Sequence, residues 1–170
     1  MKKSYKNILV YSGGEAIGDA LYKFNFIQNL RHNFPNSIIT WFAGQGDTEY
    51  SKTLKPIVRN LIDIVIDDIK IGYKPFSEIF YSCPLKEKYD VIIDTQTVVL
   101  PTLLLKRIKH NIFLSSTAKW YFSDIKPTNF SAKSMSFNQR LNMFIQLLKD
   151  NKMQYCKDKI IIEEKYLKLS

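Results

Sequence analysis

NILVYSGGEAIGD, residues 7–19, opens on an apolar run and passes through Gly13-Gly14 into a helix signal. The run at 7–11 predicts a first strand. Leu21, Phe24, Ile27, Leu30 and Phe34 then recur every three or four positions up to Pro35-Asn36. That spacing predicts an amphipathic helix over 19–33. A β-rich stretch at 37–43 ends in Gly44-Gln45-Gly46 and predicts a second strand. Further on come a weaker helix at 48–61 broken at Pro56, a strand at 62–66, a short helix within 76–88, and a strand at 90–94 (DVIID). A helix follows at 99–108, with Pro101 in its first turn, where a missing N–H does no harm. A strand at 111–114 is the fifth. This alternation predicts an α/β fold, a Rossmann-like doubly wound and mostly parallel sheet with helices on both faces. Beyond a loop at 126–133, Ser136 and Gln139 fit a capping box. Phe137, Leu141, Phe144 and Leu148 form its apolar stripe, and 159–162 reads as a last strand.

The chain has 170 residues, one domain at roughly 150 residues per domain, and enough length to bury a core. Apolar residues make up 45% and charged residues 24%, which excludes wholesale disorder and a disulfide scaffold. The net charge of +9 is uneven: +2 over residues 1–85 (10 basic, 8 acidic) and +7 over 86–170 (15 basic, 8 acidic). A basic half suits an anionic partner, but Lys outnumbers Arg by 21 to 4. Arg is the better reader of phosphates and bases, so a nucleic-acid partner is not expected. Cys83 and Cys156 stand far apart with no CxxC, and His32 and His110 lack HExxH spacing. Neither a metal site nor any cofactor is expected. No apolar run reaches the roughly 20 residues of a membrane span, and the N-terminal run is too short for a signal peptide. The sequence therefore reads as a cytoplasmic chain.

In open α/β sheets ligands bind beyond the carboxyl ends of the strands. Four segments would gather there: 13–19, 44–47, 94–96 and 115–117. Gly13 and Gly18 have the spacing of a phosphate loop, but Asp19-Ala20 stands where Lys-Ser/Thr would be, and Glu15 occupies the second glycine of a GxGxxG. A triphosphate or dinucleotide site is not written here. Asp19 admits two readings that can hold together. It can cap a helix, where the dipole favours its charge, or it can be a base that takes a proton from a sugar hydroxyl. Asp94 reads as a cap or loop anchor. Thr95 and Gln96 beside it could hydrogen-bond a ligand. Trp41 and Trp120 could stack on a sugar, though Trp41 lies inside a strand and fits the core.

ILVYSGGEAIGDALYKFNFIQNLRHNFPNSIITWFAGQGDTEY resembles the opening of family 9 glycosyltransferases, the ADP-heptose:lipopolysaccharide heptosyltransferase group, most of all in its alphaproteobacterial versions. LIDIVIDD resembles that family's third strand, and KYDVIIDTQTVVLPTLLLKRIKHNIFLS its fourth strand, DxQ turn and helix. The resemblance implies one half of a GT-B fold, with 1–127 the acceptor-side domain and 128–170 a connecting helix and the start of a donor-side domain. It implies inverting, metal-independent transfer from an ADP-sugar to a phosphorylated lipid-sugar, at the cytoplasmic face of the inner membrane, with a separate chain supplying the donor half. Asp19 would be the catalytic base. Gly18, Gly44, Gln45, Asp94, Thr95 and Gln96 would bind acceptor. Where many members carry an early Arg, this chain has Tyr11-Ser12-Gly13-Gly14. A truncated, non-catalytic acceptor-binding module is the alternative expectation.

Overall fold

The computed structural model describes residues 5–71, 85–128 and 135–151. Five strands, β1 (Asn7–Ser12), β2 (Ile38–Ala43), β3 (Ile64–Ile66), β4 (Tyr89–Asp94) and β5 (His110–Ser115), form one sheet in the order β3-β2-β1-β4-β5. Every pairing is parallel. Around it lie α1 (Ile17–Asn33), α2 (Lys55–Val58), α3 (Val99–Leu105), α4 (Thr117–Trp120) and the helical residues 137–151, α5. The expected Rossmann-like α/β sheet is therefore present.

The middles of β1, β2, β4 and β5 are largely apolar and buried because both faces are covered there. Alternate side chains part to opposite sides. Ile8, Val10, Ile39, Trp41, Val91, Ile93 and Leu114 enter a core shared with α1 and α5. Leu9, Tyr11, Phe42, Ile92 and Phe113 enter the core beneath α3. Helix α5 is held by the expected capping box: Ser136 Oγ accepts from Gln139 N at 3.3 Å, and Gln139 Oε1 from Ser136 N at 2.8 Å. Its Phe144 meets Trp120 at 5.1 Å between ring centres. Polar side chains brace the lower rim. Asp90 accepts from the backbone N–H of Lys6 and Asn7, and from Asn111. The Arg31 guanidinium spans the carbonyls of Leu61 and Ser37 and the carboxylate of Asp63.

Three elements differ from the sequence expectations. The helix expected over 48–61 shrinks to Lys55–Val58, with Pro56 in its opening turn, where proline is tolerated. The residues before it form turns because Tyr50 is drawn inward: its ring meets Trp41 edge-on at 5.0 Å and its hydroxyl donates to Ala20 O at 2.5 Å. Helix α1 starts at Ile17 with Ala16 as its N-cap, so Asp19 sits inside the first turn and does not cap it. The inward face of α1 is Ala20, Lys23, Phe26, Ile27 and Leu30, whereas Leu21 is exposed. The apolar period was shifted by a lysine that is buried. Of the short helix expected in 76–88, residues 85–88 are non-helical and the rest lies outside the described residues, as does the strand at 159–162.

Residues Ala118, Lys119 and Trp120 have φ of 50°, 54° and 66°. This left-handed run follows β5 and turns Trp120 into the core. A Cβ in that region costs about 1 kcal/mol, so Ala118→Gly, at an exposed position, should raise stability by about 1 kcal/mol, read as a higher urea midpoint at unchanged m.

Candidate functional site

Strand order reverses between β1 and β4, and the crevice above their carboxyl ends is the place where such sheets bind ligands. A cleft of about 420 Å³ lies there. Gly13 and Gly14 line its floor, Asp19, Tyr22 and Lys23 of α1 one wall, Gln45 and Gln96 the strand ends, and Phe137 of α5 the rim.

The floor is shaped by close backbone approach. Gly14 has φ +110°, and a Cβ there would lie 3.2 Å from Asp47 O. Glu15 N donates to Asp47 O at 3.2 Å, so the loop after β1 is stitched to the loop after β2. A Cβ on Gly13 would stand 3.2 Å from Gln45 Oε1 and 3.6 Å from Gln96 Cδ. Both glutamines thus converge above one glycine.

Beneath this floor runs a buried ion pair. Lys23 Nζ donates to Ser12 Oγ at 2.6 Å and to Glu15 Oε1 at 3.1 Å. The Glu15 side chain is fully buried, and its other oxygen accepts from Trp41 Nε1 at 3.4 Å. The pair ties the end of β1, the glycine loop, β2 and α1 together. On the rim, Tyr22 stacks on Phe137 at 5.7 Å with 30° between the rings. The Phe137 ring also lies 6.0 Å from Lys23 Nζ and 5.6 Å from the Arg140 guanidinium.

The residues singled out from the sequence separate into two layers. Asp19, Gln45 and Gln96 line the cleft, and Gly18 stands exposed beside Asp19 with open space where a Cβ would be. Gly44, Asp94 and Thr95 lie underneath. A Cβ on Gly44 would come within 2.7 Å of the Tyr11 ring and 2.8 Å of Ile71, so packing requires glycine there. Thr95 Oγ1 donates to Tyr11 O at 2.8 Å. Asp94 is fully buried and accepts from Gln96 N at 3.0 Å, Thr102 Oγ1 at 2.6 Å and Ser115 Oγ at 2.8 Å. Burial pushes its carboxyl up to about 6, against the opposing pull of these hydrogen bonds. Trp41 is wholly buried and Trp120 nearly so. Sequence reasoning passed over Lys23, Tyr22 and Phe137. Only the four-residue step from Asp19 to Lys23, which puts both on one helix face, could have pointed to the lysine. Among the described residues no group of three or more His, Cys, Asp or Glu side chains could hold a metal ion, and no helix is long and apolar enough to cross a membrane.

No protein-family model matches the chain, and neither does any curated protein sequence. Solved structures do match. E. coli heptosyltransferase WaaC with ADP aligns at 16% identity and a TM-score of 0.53, covering 84% of this chain and 47% of that one. The same enzyme with ADP-2-deoxy-2-fluoro heptose aligns at 17% identity and 0.53, covering 84% and 48%. A glycosyl transferase family 9 structure from Veillonella parvula DSM 2008 aligns at 23% identity and 0.58, covering 86% and 42%. This chain spans less than half the length of each, and at these identities the likeness is one of fold. The resemblance read from the sequence thus recurs in three dimensions.

Two outcomes are expected from the buried charges. Lys23→Met strands Glu15 in the core and should cost about 3–5 kcal/mol in urea unfolding, much of it recovered in the Lys23→Met/Glu15→Gln double variant. The folded carboxyl of Asp94 sits near 6, above its ordinary 3.8, so the folded state binds the proton more tightly than the unfolded chain. Its stabilising share is full below pH 3.8 and lost as pH rises through 6. Asp94→Asn, which never ionises, should remove that decline, a change of about 3 kcal/mol in the difference from wild type between acid and neutral unfolding curves.

Proposed function

We propose that this chain is the acceptor-side half of a family 9-type glycosyltransferase of lipopolysaccharide core assembly. In this reading residues 1–127 hold the acceptor and 128–170 lead to a donor-side domain, carried by the same protein or a second chain. The observation that carries it is the open carboxylate of Asp19 in the crevice where the strand order reverses, in a sheet whose fold aligns with heptosyltransferases over most of its length. Asp19 is exposed in the first turn of α1, and the N-cap position belongs to Ala16.

Chemically, an acceptor hydroxyl held beside Asp19 attacks the anomeric carbon of an ADP-sugar. The new C–O bond forms as the C–O bond to the diphosphate breaks, the hydroxyl proton passes to the carboxylate, and ADP leaves. Attack opposite the leaving group inverts the centre. The resemblance implies no metal in this chemistry. It implies a phosphorylated lipid-sugar as acceptor and work at the cytoplasmic face of the inner membrane.

The test is transfer from ADP-heptose, followed as ADP release, by the protein or complex that carries this domain together with its donor-side half. Asp19→Asn should lower kcat by about 10²–10⁴-fold while shifting stability by no more than about 1 kcal/mol, since the exposed side chain contributes only through the helix dipole. Transfer that survives the substitution overturns the role of Asp19. A wild-type protein that turns over no ADP-sugar leaves a non-catalytic acceptor-binding module.

A further inference from the structure

The cleft contains one carboxylate open to it, two side-chain amides, an aromatic pair and a lysine, and the lysine is already engaged. Lys23 Nζ spends its charge on Glu15 and a further hydrogen bond on Ser12. Moving it to a ligand would strand Glu15, whose side chain has no exposure. With that pair neutral, the charge facing the cleft among the described residues is the negative one of Asp19. Such a wall repels an anion and welcomes a hydroxyl. Gln45 and Gln96 add amides that both donate and accept, as a polyol requires. Tyr22 is about half exposed at 51%, and Phe137 stacks behind it, so its ring is a flat apolar wall beside those polar groups. Aromatic rings fit the C–H face of a ligand whose edges are hydroxylated. The volume of about 420 Å³ lies within the roughly 300–1,000 Å³ of small-ligand sites.

We infer that the cleft is a subsite for a neutral pyranose ring, laid against Tyr22 with its hydroxyls shared among Gln45, Gln96 and Asp19, and that any phosphate on the acceptor lies outside it. This rests on reading the cleft as the acceptor side, and it makes Tyr22 a specificity-determining residue. The nearby cation that could oppose it is Arg140, 5.6 Å from the Phe137 ring.

The test is titration of the full 170-residue chain, by amide NMR shifts, with methyl α-D-mannopyranoside, mannose 6-phosphate and inorganic phosphate in parallel. The neutral glycoside should shift resonances of Gly13, Gly14 and Gln96. Its affinity should not change between 50 mM and 500 mM salt. Tyr22→Ala should weaken it at least tenfold, and Tyr22→Phe should retain it. The 6-phosphate should bind no tighter than the glycoside, and phosphate alone should not shift these residues.

Tighter, salt-sensitive binding of the 6-phosphate that Arg140→Gln removes overturns the inference in favour of an anion site. Failure of the glycoside to bind, or binding indifferent to Tyr22→Ala, overturns it outright. Tyr22-dependent sugar binding by a protein that transfers nothing supports the subsite and overturns only the transferase reading. Transfer lost in Asp19→Asn but untouched in Tyr22→Ala overturns only the subsite.

Discussion

The ammonium of Lys23 stands between Ser12 and Glu15, with Trp41 closing the far side of the carboxylate. Removing two charges from water is costly, and mutual attraction offsets that only when the geometry is good and the remaining polar atoms are bonded. Here they are, and each partner comes from a different element: the end of β1, the glycine loop, β2 and α1. The pair therefore fixes how α1 leaves the sheet. The position of its first turn, where Asp19 lies, follows from a bond network one turn further along the helix.

A second buried acid does similar work on the other side of the crevice. Asp94 ends β4, and its oxygens gather Thr102 from α3, Ser115 from the end of β5 and the N–H of Gln96. Thr117 extends the cluster through Ser115 and the carbonyl of Gln96. Gln96 thus projects into the cleft from a turn whose backbone is held at both its N–H and its C=O. Asp19 and Gln96 face the cleft over a layer of buried polar residues that are hydrogen-bonded to one another.

The fold was legible because its signal is the simplest one available: apolar runs that end in glycine or acid, alternating with helical periods. β1, β2, β4 and β5 each lie within a residue or so of their expected bounds. What escaped was set by how the elements pack. Lys23 looks like a solvated charge until Glu15 is placed under it. Tyr50 looks like part of a helix until Ala20 O takes its hydroxyl. Asp19 looks like a cap because the extra turn at Ile17 carries no capping side chain to announce it. Asp94 and Gln96 are two residues apart in one turn, yet one is sealed and the other faces the cleft. Asp94 is sealed because Thr102 of α3 and Ser115 of β5 close over it.

The central strand also constrains how the chain is made. Ile8 lies opposite Ile39 on one side and Val91 on the other. On a ribosome, the first partner emerges soon after the strand itself, but the second follows only once the chain has reached Val91. Until then one flank of an almost wholly apolar ribbon has hydrogen-bonding groups without their final mates, a template for errant pairing with neighbouring nascent chains. Arrival of the fourth strand closes that flank, with Asp90 accepting from the N–H of Lys6 and Asn7, and leaves its carboxylate placed to accept from Asn111 when the fifth strand follows. Translation speed across that interval is thus a property on which the yield of this sheet depends.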